Sequence, residues 1–332
     1  MERGKSDPAV DLVDYYTPLV VRMFVAAGVF EAFGREPRTL ADVAGATRVD
    51  QTALGRMVRA LGSREVFEEL DDGRWELTAL GRRFLRDEPG GVSGIANFKP
   101  WELHAWSEAI HTLRTGEPSF PEYFTLGFWE WLAAHPEQSV LFNDDMRRRT
   151  TTLLDGGLAL YEWPDEGLVV DVGGGNGLML ERILRERPGL RGVVMDQPHV
   201  VEEARAHFDA EGVSDRAEAV GGDFFFEVPA GGDVYLMGSV LHDWPDEDAL
   251  RILTTVRRAM NGSSRLVLFE AVIMPKGKMD LGRMLDLHML VLFGAKERTH
   301  EDWESLLTHG GFTLERVIPT PGLAWIEATP AT

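Results

Sequence analysis

The rhythm of apolar and polar positions changes once along the chain, near residue 165. Before that point apolar residues recur at helical spacing. Leu12, Leu19, Val20, Met23, Phe24, Ala27, Val29 and Phe30 predict an amphipathic helix over 12–33. A short helix is expected at 39–44, after Pro37. Asp50 reads as the N-cap of another, whose inward face is Leu54, Met57, Val58 and Leu61. Residues 66–70 alternate, Asp71-Asp72-Gly73 signals a turn, and 74–78 follow as the second arm of a hairpin. Helix, turn, helix, hairpin is a winged-helix pattern. Gly90-Gly91 then marks a hinge. Residues 95–160 read as helical and rich in aromatics, among them Trp101, Phe120, Phe128, Trp129 and Phe142. Most of these are expected to pack a core, and a minority to line a pocket for a flat ligand.

From residue 168 the grammar is different. Short apolar runs at 168–172, 193–196, 216–220, 234–237 and 266–270 alternate with helical stretches that begin at Leu178, near His199 and at Asp246. Strands alternating with helices predict an α/β fold, a parallel sheet covered by helices on both faces, with ligands at the carboxyl ends of the strands. Three regions are therefore expected: a winged-helix-like domain at 1–92, a helical linker contributing to the substrate pocket at 93–160, and an α/β domain at 161–332.

Composition narrows the chemistry. The 332 residues include no cysteine, which removes disulfides, zinc–thiolate sites, iron–sulfur clusters and thiol nucleophiles. No clustered metal-ligand motif of the H-E-x-x-H kind is present, so no metal is expected. Lys and Arg number 34 against 54 Asp and Glu, a net charge of −20. Residues 1–90 alone hold 13 basic and 16 acidic side chains, a net of −3, and the would-be recognition helix offers only Arg56 and Arg59. Phosphate binding needs a basic face, so the winged helix is not expected to bind nucleic acid. The first residues have no apolar core of the secretory type, and the apolar stretch at 15–30 is interrupted by Arg22 and short of the roughly 20 residues a membrane span needs. A cytoplasmic protein without a membrane partner is expected.

Candidate chemistry clusters at the predicted strand ends. Asp171-Val172-Gly173-Gly174-Gly175-Asn176-Gly177 closes the first strand. Glycines serve where the backbone turns tightly and a ligand comes close. The spacing is G-x-G-x-G; the dinucleotide G-x-G-x-x-G fails because Leu178 occupies the sixth position, and no Walker lysine follows. Such a loop suits a ligand without a pyrophosphate, of which S-adenosylmethionine is the common one. Asp196 ends the second strand, about 20 residues past the loop, where an acid accepts ribose hydroxyls. Gly222-Asp223-Phe224 follows the third strand and offers an acid beside an aromatic for adenine. Ser239-Val240-Leu241-His242-Asp243-Trp244 closes the fourth and brings a group that titrates near neutrality to the ligand edge, a candidate general base. Glu270 and Glu297 are carboxylates that could hold its imidazole.

These motifs, taken together and in this order, resemble the S-adenosylmethionine-dependent O-methyltransferases of the plant caffeate/isoflavone type and their bacterial natural-product relatives. Asp171 to Gly177, Gly222-Asp223-Phe224-Phe225, Leu241-His242-Asp243-Trp244 and Lys296-Glu297-Arg298-Thr299 carry the resemblance, which extends over nearly the whole chain. It implies a Rossmann-like class I methyltransferase sheet at 161–332 and an N-terminal winged-helix dimerisation domain that lends residues to its partner's site. It implies His242 as the base, bracketed by Glu270 and Glu297. Asp171, Gly173, Gly174, Gly175, Asp196, Gly222, Asp223, Phe224 and Ser239 would meet S-adenosylmethionine or its product S-adenosylhomocysteine. Phe142, Met146, Asp243, Met284, Met289 and Phe293 would line the place of a small aromatic acceptor. Many plant members have a lysine where this chain has Gly238, so that contact is absent and Ser239 stands in. Relatives that turned to hydroxylation or decarboxylation lost the histidine kept here. A methyltransferase-fold enzyme with such a different outcome, or a winged-helix regulator, is the alternative.

Overall fold

The computed structural model describes residues 8–96, 98–154, 157–274 and 281–331, leaving aside the side chains at 149, 152 and 281. The chain divides into two compact units, Met1–Pro100 and Trp101–Thr332.

In the first unit the stretch expected to be one helix over 12–33 forms three: Pro8–Val13, Tyr16–Ala26 and Val29–Phe33. Asp14 Oδ1 accepts the N–H groups of Tyr16 and Thr17 and so restarts the helix, as side-chain caps do. Gly28, at φ 68°, breaks it again in a conformation that favours glycine. Helices Leu40–Thr47 and Gln51–Gly62 are capped by Thr39 and Asp50, each side chain accepting a backbone N–H three residues on. The hairpin pairs Phe67–Glu69 with Trp75–Leu77. Phe24, Phe30, Phe33, Leu54, Val58, Leu61 and Phe67 are buried together, with the Phe30 and Phe67 rings stacked 5.8 Å apart.

The second unit opens with helices that pack Trp101, Phe120, Phe128 and Trp131 against Val291 and Leu292. They include α1 (Phe128–Ala134) and α2 (Pro136–Leu154). A seven-stranded sheet follows: β1 (Glu166–Val172), β2 (Gly189–Asp196), β3 (Ala217–Gly221), β4 (Val234–Gly238), β5 (Arg265–Glu270), β6 (Phe312–Pro319) and β7 (Ala324–Pro330). Their order is β6-β7-β5-β4-β1-β2-β3. The first five strands are parallel; β6 and β7 form an antiparallel hairpin on the β5 edge.

The interleaved helices are α3 (Leu178–Glu186), α4 (Val201–Glu211), α5 (Asp246–Ala259), α6 (Leu281–Phe293) and α7 (His300–His309). Alternate strand residues serve two cores, as a pleat requires. Val169, Leu236, Val267 and Phe269 face α3 and α4 through Leu180, Ile183, Ala204 and Phe208. Val170, Tyr235, Leu266 and Leu268 face α5 and α7 through Ile252, Leu253, Val256 and Trp303. Strands buried on both faces read as continuous apolar runs, which is why they stand out in the sequence.

Strand order reverses between β1 and β4, and the carboxyl ends of β1 to β5 share one edge. This crevice is where open α/β sheets bind ligands. Gly177 caps α3 at φ 74°, and a Cβ there would lie 2.5 Å from the Phe208 ring. Gly177→Ala is therefore expected to destabilise the chain by about 1–3 kcal/mol, read as a lower urea midpoint.

Candidate active site

A cleft of about 270 Å³ opens at this edge. Its floor is the turn after β1. Gly173 and Gly175 have φ of 73° and 59°. A Cβ on Gly173 would meet Val240 at 2.9 Å, and one on Gly174 would meet the Asp171 carboxylate at 2.4 Å. The glycines let the β1 turn lie flat against the segment after β4 and over a buried acid.

Asp171 is buried, and its Oδ2 has no hydrogen-bond partner among the described residues. Burial, with the neighbouring Asp196 charge adding to it, pushes its carboxyl up to about 7. Asp196 ends β2, and burial raises it too, against two backbone N–H groups, from Gln197 and Gly175, that favour its charged form. Both acids line the cleft with Phe224 and Ser239. Ser239 takes a left-handed φ of 54°, uncommon outside glycine, and donates its N–H to Phe269 O. An uncompensated carboxyl oxygen, a second acid on the neighbouring strand and an open glycine turn suit the ammonium, the ribose hydroxyls and the close approach of S-adenosylmethionine. Gly222 and Asp223 do not line the cleft. Gly222 lies against Met195, whose methyl would meet a Cβ at 2.5 Å, and Asp223 Oδ1 caps the N–H of Phe225.

The third group of residues lies after β4 and β5. Leu241–Asp243 form one turn of 3-10 helix that carries His242, and Glu270 ends β5. His242 Nδ1 lies 2.8 Å from Glu297 Oε1 and 3.7 Å from Glu270 Oε2; Nε2 lies 3.4 Å from Asp243 Oδ1. His242, Glu270 and Glu297 are buried. Glu270 Oε1 accepts the N–H groups of Val240 and Leu241, each at 2.9 Å, and so ties the turn to β5. Burial by itself pushes the His242 imidazole down; Glu297, Glu270 and Asp243 outweigh it and hold the ring up at about 10. Burial pushes Glu270 up to about 7, against the attraction of His242.

Two positioning residues were not assigned from sequence. Arg298 is fully buried and donates to the carbonyls of Leu241 and Trp244 and to Asp246 Oδ1, locking the turn from below. Asp286 on α6 accepts the Glu297 N–H at 3.0 Å. Arg298 stood in a quoted motif, but its targets are carbonyls remote in sequence, and no local pattern announces that.

Of the residues expected around an acceptor, Phe142, Met146 and Asp243 line the cleft. Met289 and Phe293 do not: Met289 is buried, and Phe293 packs its ring behind Trp129, 5.6 Å between centroids. Met284 is 58% exposed. Trp129 and Trp244, neither assigned to the pocket beforehand, both line it, with near-parallel rings 6.5 Å apart. The aromatic-rich stretch carried the signal for Trp129, but helical spacing does not separate lining from core.

Residues 106–313 match the O-methyltransferase domain family and residues 10–87 the O-methyltransferase dimerisation domain. The chain belongs to the S-adenosylmethionine-dependent O-methyltransferases. It is 37% identical to a phenazine O-methyltransferase of Lysobacter antibioticus, over 93% of this chain and 92% of that one. It is 38% identical to the O-demethylpuromycin-O-methyltransferase of Streptomyces alboniger, over 90% and 82%. The O-methyltransferase of neocarzinostatin biosynthesis, solved with S-adenosylmethionine and 2-hydroxy-5-methyl naphthoic acid, superimposes with a TM-score of 0.85 at 30% identity, covering 98% of this chain and all 100% of that one. The fold is that of the class I methyltransferases, and the winged-helix-like unit is the family's dimerisation domain. S-adenosylmethionine is the cofactor of this O-methyltransferase. Gly174→Ala, which drives a methyl group into Asp171, is expected to weaken S-adenosylhomocysteine binding at least about tenfold, or ~1.4 kcal/mol, by calorimetry.

Proposed function

We propose that this O-methyltransferase methylates a phenolic hydroxyl of a small aromatic natural product, with His242 as general base. The reading rests above all on the 2.8 Å contact that fixes His242 Nδ1 on Glu297 and leaves Nε2 beside Asp243, a residue of the cleft wall. S-adenosylmethionine supplies an electrophilic methyl group on a sulfonium. Everything else is the work of this chain. Asp171, Asp196, Phe224, Ser239 and the Gly173–Gly175 turn hold the cofactor, with Gly222 and Asp223 shaping the turn behind it. Phe142, Met146, Trp129 and Trp244 offer flat and adaptable apolar walls to an aromatic ring. Relatives that act on phenazine and naphthoate scaffolds support that acceptor class.

His242 Nε2 takes the hydroxyl proton. A phenol has a pKa of about 10. The carboxylates raise His242 from its ordinary value towards that of a phenol, which makes the proton transfer less uphill. Glu297 accepts the Nδ1–H and fixes the tautomer, while Glu270 holds the turn. The dimerisation domain joins two copies of the chain. Retention of His242 favours methyl transfer over the hydroxylating and decarboxylating outcomes.

With His242→Ala, kcat is expected to fall on the order of 10²–10⁴-fold while S-adenosylhomocysteine still binds. Product mass spectrometry on a panel of phenols follows the reaction, and unchanged turnover would remove His242 from the base role. The pH profile carries a second expectation. A base must be neutral to accept a proton, so turnover should climb with pH towards the raised His242 value. Glu297→Gln removes the largest upward influence on the ring. The ascending limb of the kcat profile should then move to lower pH, and its plateau should drop. A limb that stays in place would count against Glu297 as the partner of the base.

A further inference from the structure

Glu270 and Glu297 are both more than nine-tenths buried, yet each keeps one carboxylate oxygen, Oε2, with no hydrogen-bond partner among the described residues. Such atoms are costly to bury and mark a site with spare capacity for a donor or a cation. We propose that His242, Glu270 and Glu297 form a buried site for a single zinc-like divalent cation, and that filling it silences the enzyme.

The geometry comes first. One ligand atom from each of His242, Glu270 and Glu297 lies within 4.8 Å of the other two. In a tetrahedral zinc site, with bonds of about 2.1 Å, neighbouring ligand atoms sit roughly 3.4 Å apart. The two distances from Nδ1, 2.8 Å to Glu297 and 3.7 Å to Glu270, fall on either side of that value. Shifts of about 0.6 Å and about 0.3 Å bring the two to it.

Charge comes second. A neutral imidazole with two carboxylates carries −2. One proton leaves the cluster at −1, whereas a divalent cation neutralises it. Calcium and magnesium demand six or more oxygens, and this buried corner offers one nitrogen and two carboxylates. Zinc and cobalt accept three such ligands with one open position.

The functional consequence follows from which nitrogen is taken. The cation replaces the proton on Nδ1, which leaves to solvent. A neutral ring bound through Nδ1 carries its single proton on Nε2, the nitrogen beside Asp243; a ring that was already neutral takes that proton from solvent. Nε2 can donate a hydrogen bond but can no longer accept the proton of a hydroxyl. None of the three ligands lines the cofactor cleft, so cofactor affinity should be untouched. This loss of turnover rests on the reading of His242 as base; the site itself does not.

Cobalt is the probe of choice, because a four-coordinate ion gives intense visible bands. Titration of the full chain with Co²⁺ should show those bands for one equivalent, discharged by Zn²⁺. Glu297→Gln and Glu270→Gln, each checked for S-adenosylhomocysteine binding to confirm a folded protein, should lose that equivalent. Wild-type turnover should fall with occupancy at constant S-adenosylhomocysteine affinity and return on addition of EDTA. Bands or stoichiometry that persist in both folded variants would overturn the site. An equivalent lost in the variants, with zinc leaving wild-type turnover intact, would keep the site and overturn His242 as base instead.

Discussion

Buried charge at the ends of β4 and β5 is the constraint around which the region beside the cleft is built. An imidazole and two glutamates lie out of water within a few ångströms of each other. Such groups are tolerated only when paired and hydrogen-bonded. Each local feature of the region answers that demand. Glu270 takes two backbone N–H groups, Glu297 takes the imidazole, and Arg298 fills the carbonyls that the 3-10 turn leaves open. Arg298 is held in turn by Asp246 and lies over the Trp303 ring. The turn carrying His242 is thereby tied to β5, α5 and the start of α7, and the direction of Nε2 is a consequence of that framework.

The cleft itself obeys the same electrostatics with a different answer. Asp171 and Asp196 are raised by burial, Asp171 further by the charge of its neighbour, and one Asp171 oxygen lacks a partner. The deficit suits a ligand with cationic and hydroxyl donors. The glycines of the β1 turn belong to this arrangement physically, since a side chain at Gly174 would occupy the space of the Asp171 carboxylate.

The N-terminal unit shows how little a fold says about a function. Its helices and hairpin have the winged-helix arrangement, yet its side chains carry no basic surplus, and the region matches a dimerisation domain. Shape alone suggested nucleic acid; the sign of the charge argued against it.

Elements whose signal is local were legible in the sequence by itself. The parallel strands read as apolar runs, the cap at Asp50 as a short polar residue before a helical period, and the glycine cluster as a tight turn after the first strand. His242, Glu270 and Glu297 were legible as strand-end and motif residues, through resemblance more than through spacing. The break of the first helix at Asp14 and Gly28 escaped the periodicity, because apolar spacing does not register where a cap or a positive-φ glycine interrupts a helix. Tertiary structure alone decided which of the many aromatics form the cleft wall. Trp129 lines it, and Phe293, one ring further back, does not. It alone placed Met284 outside and revealed Arg298 and Asp286 as supports of the site. The reason is physical. Periodicity tells which face of an element is apolar, but the identity of the surface that meets that face depends on contacts between segments far apart in the chain.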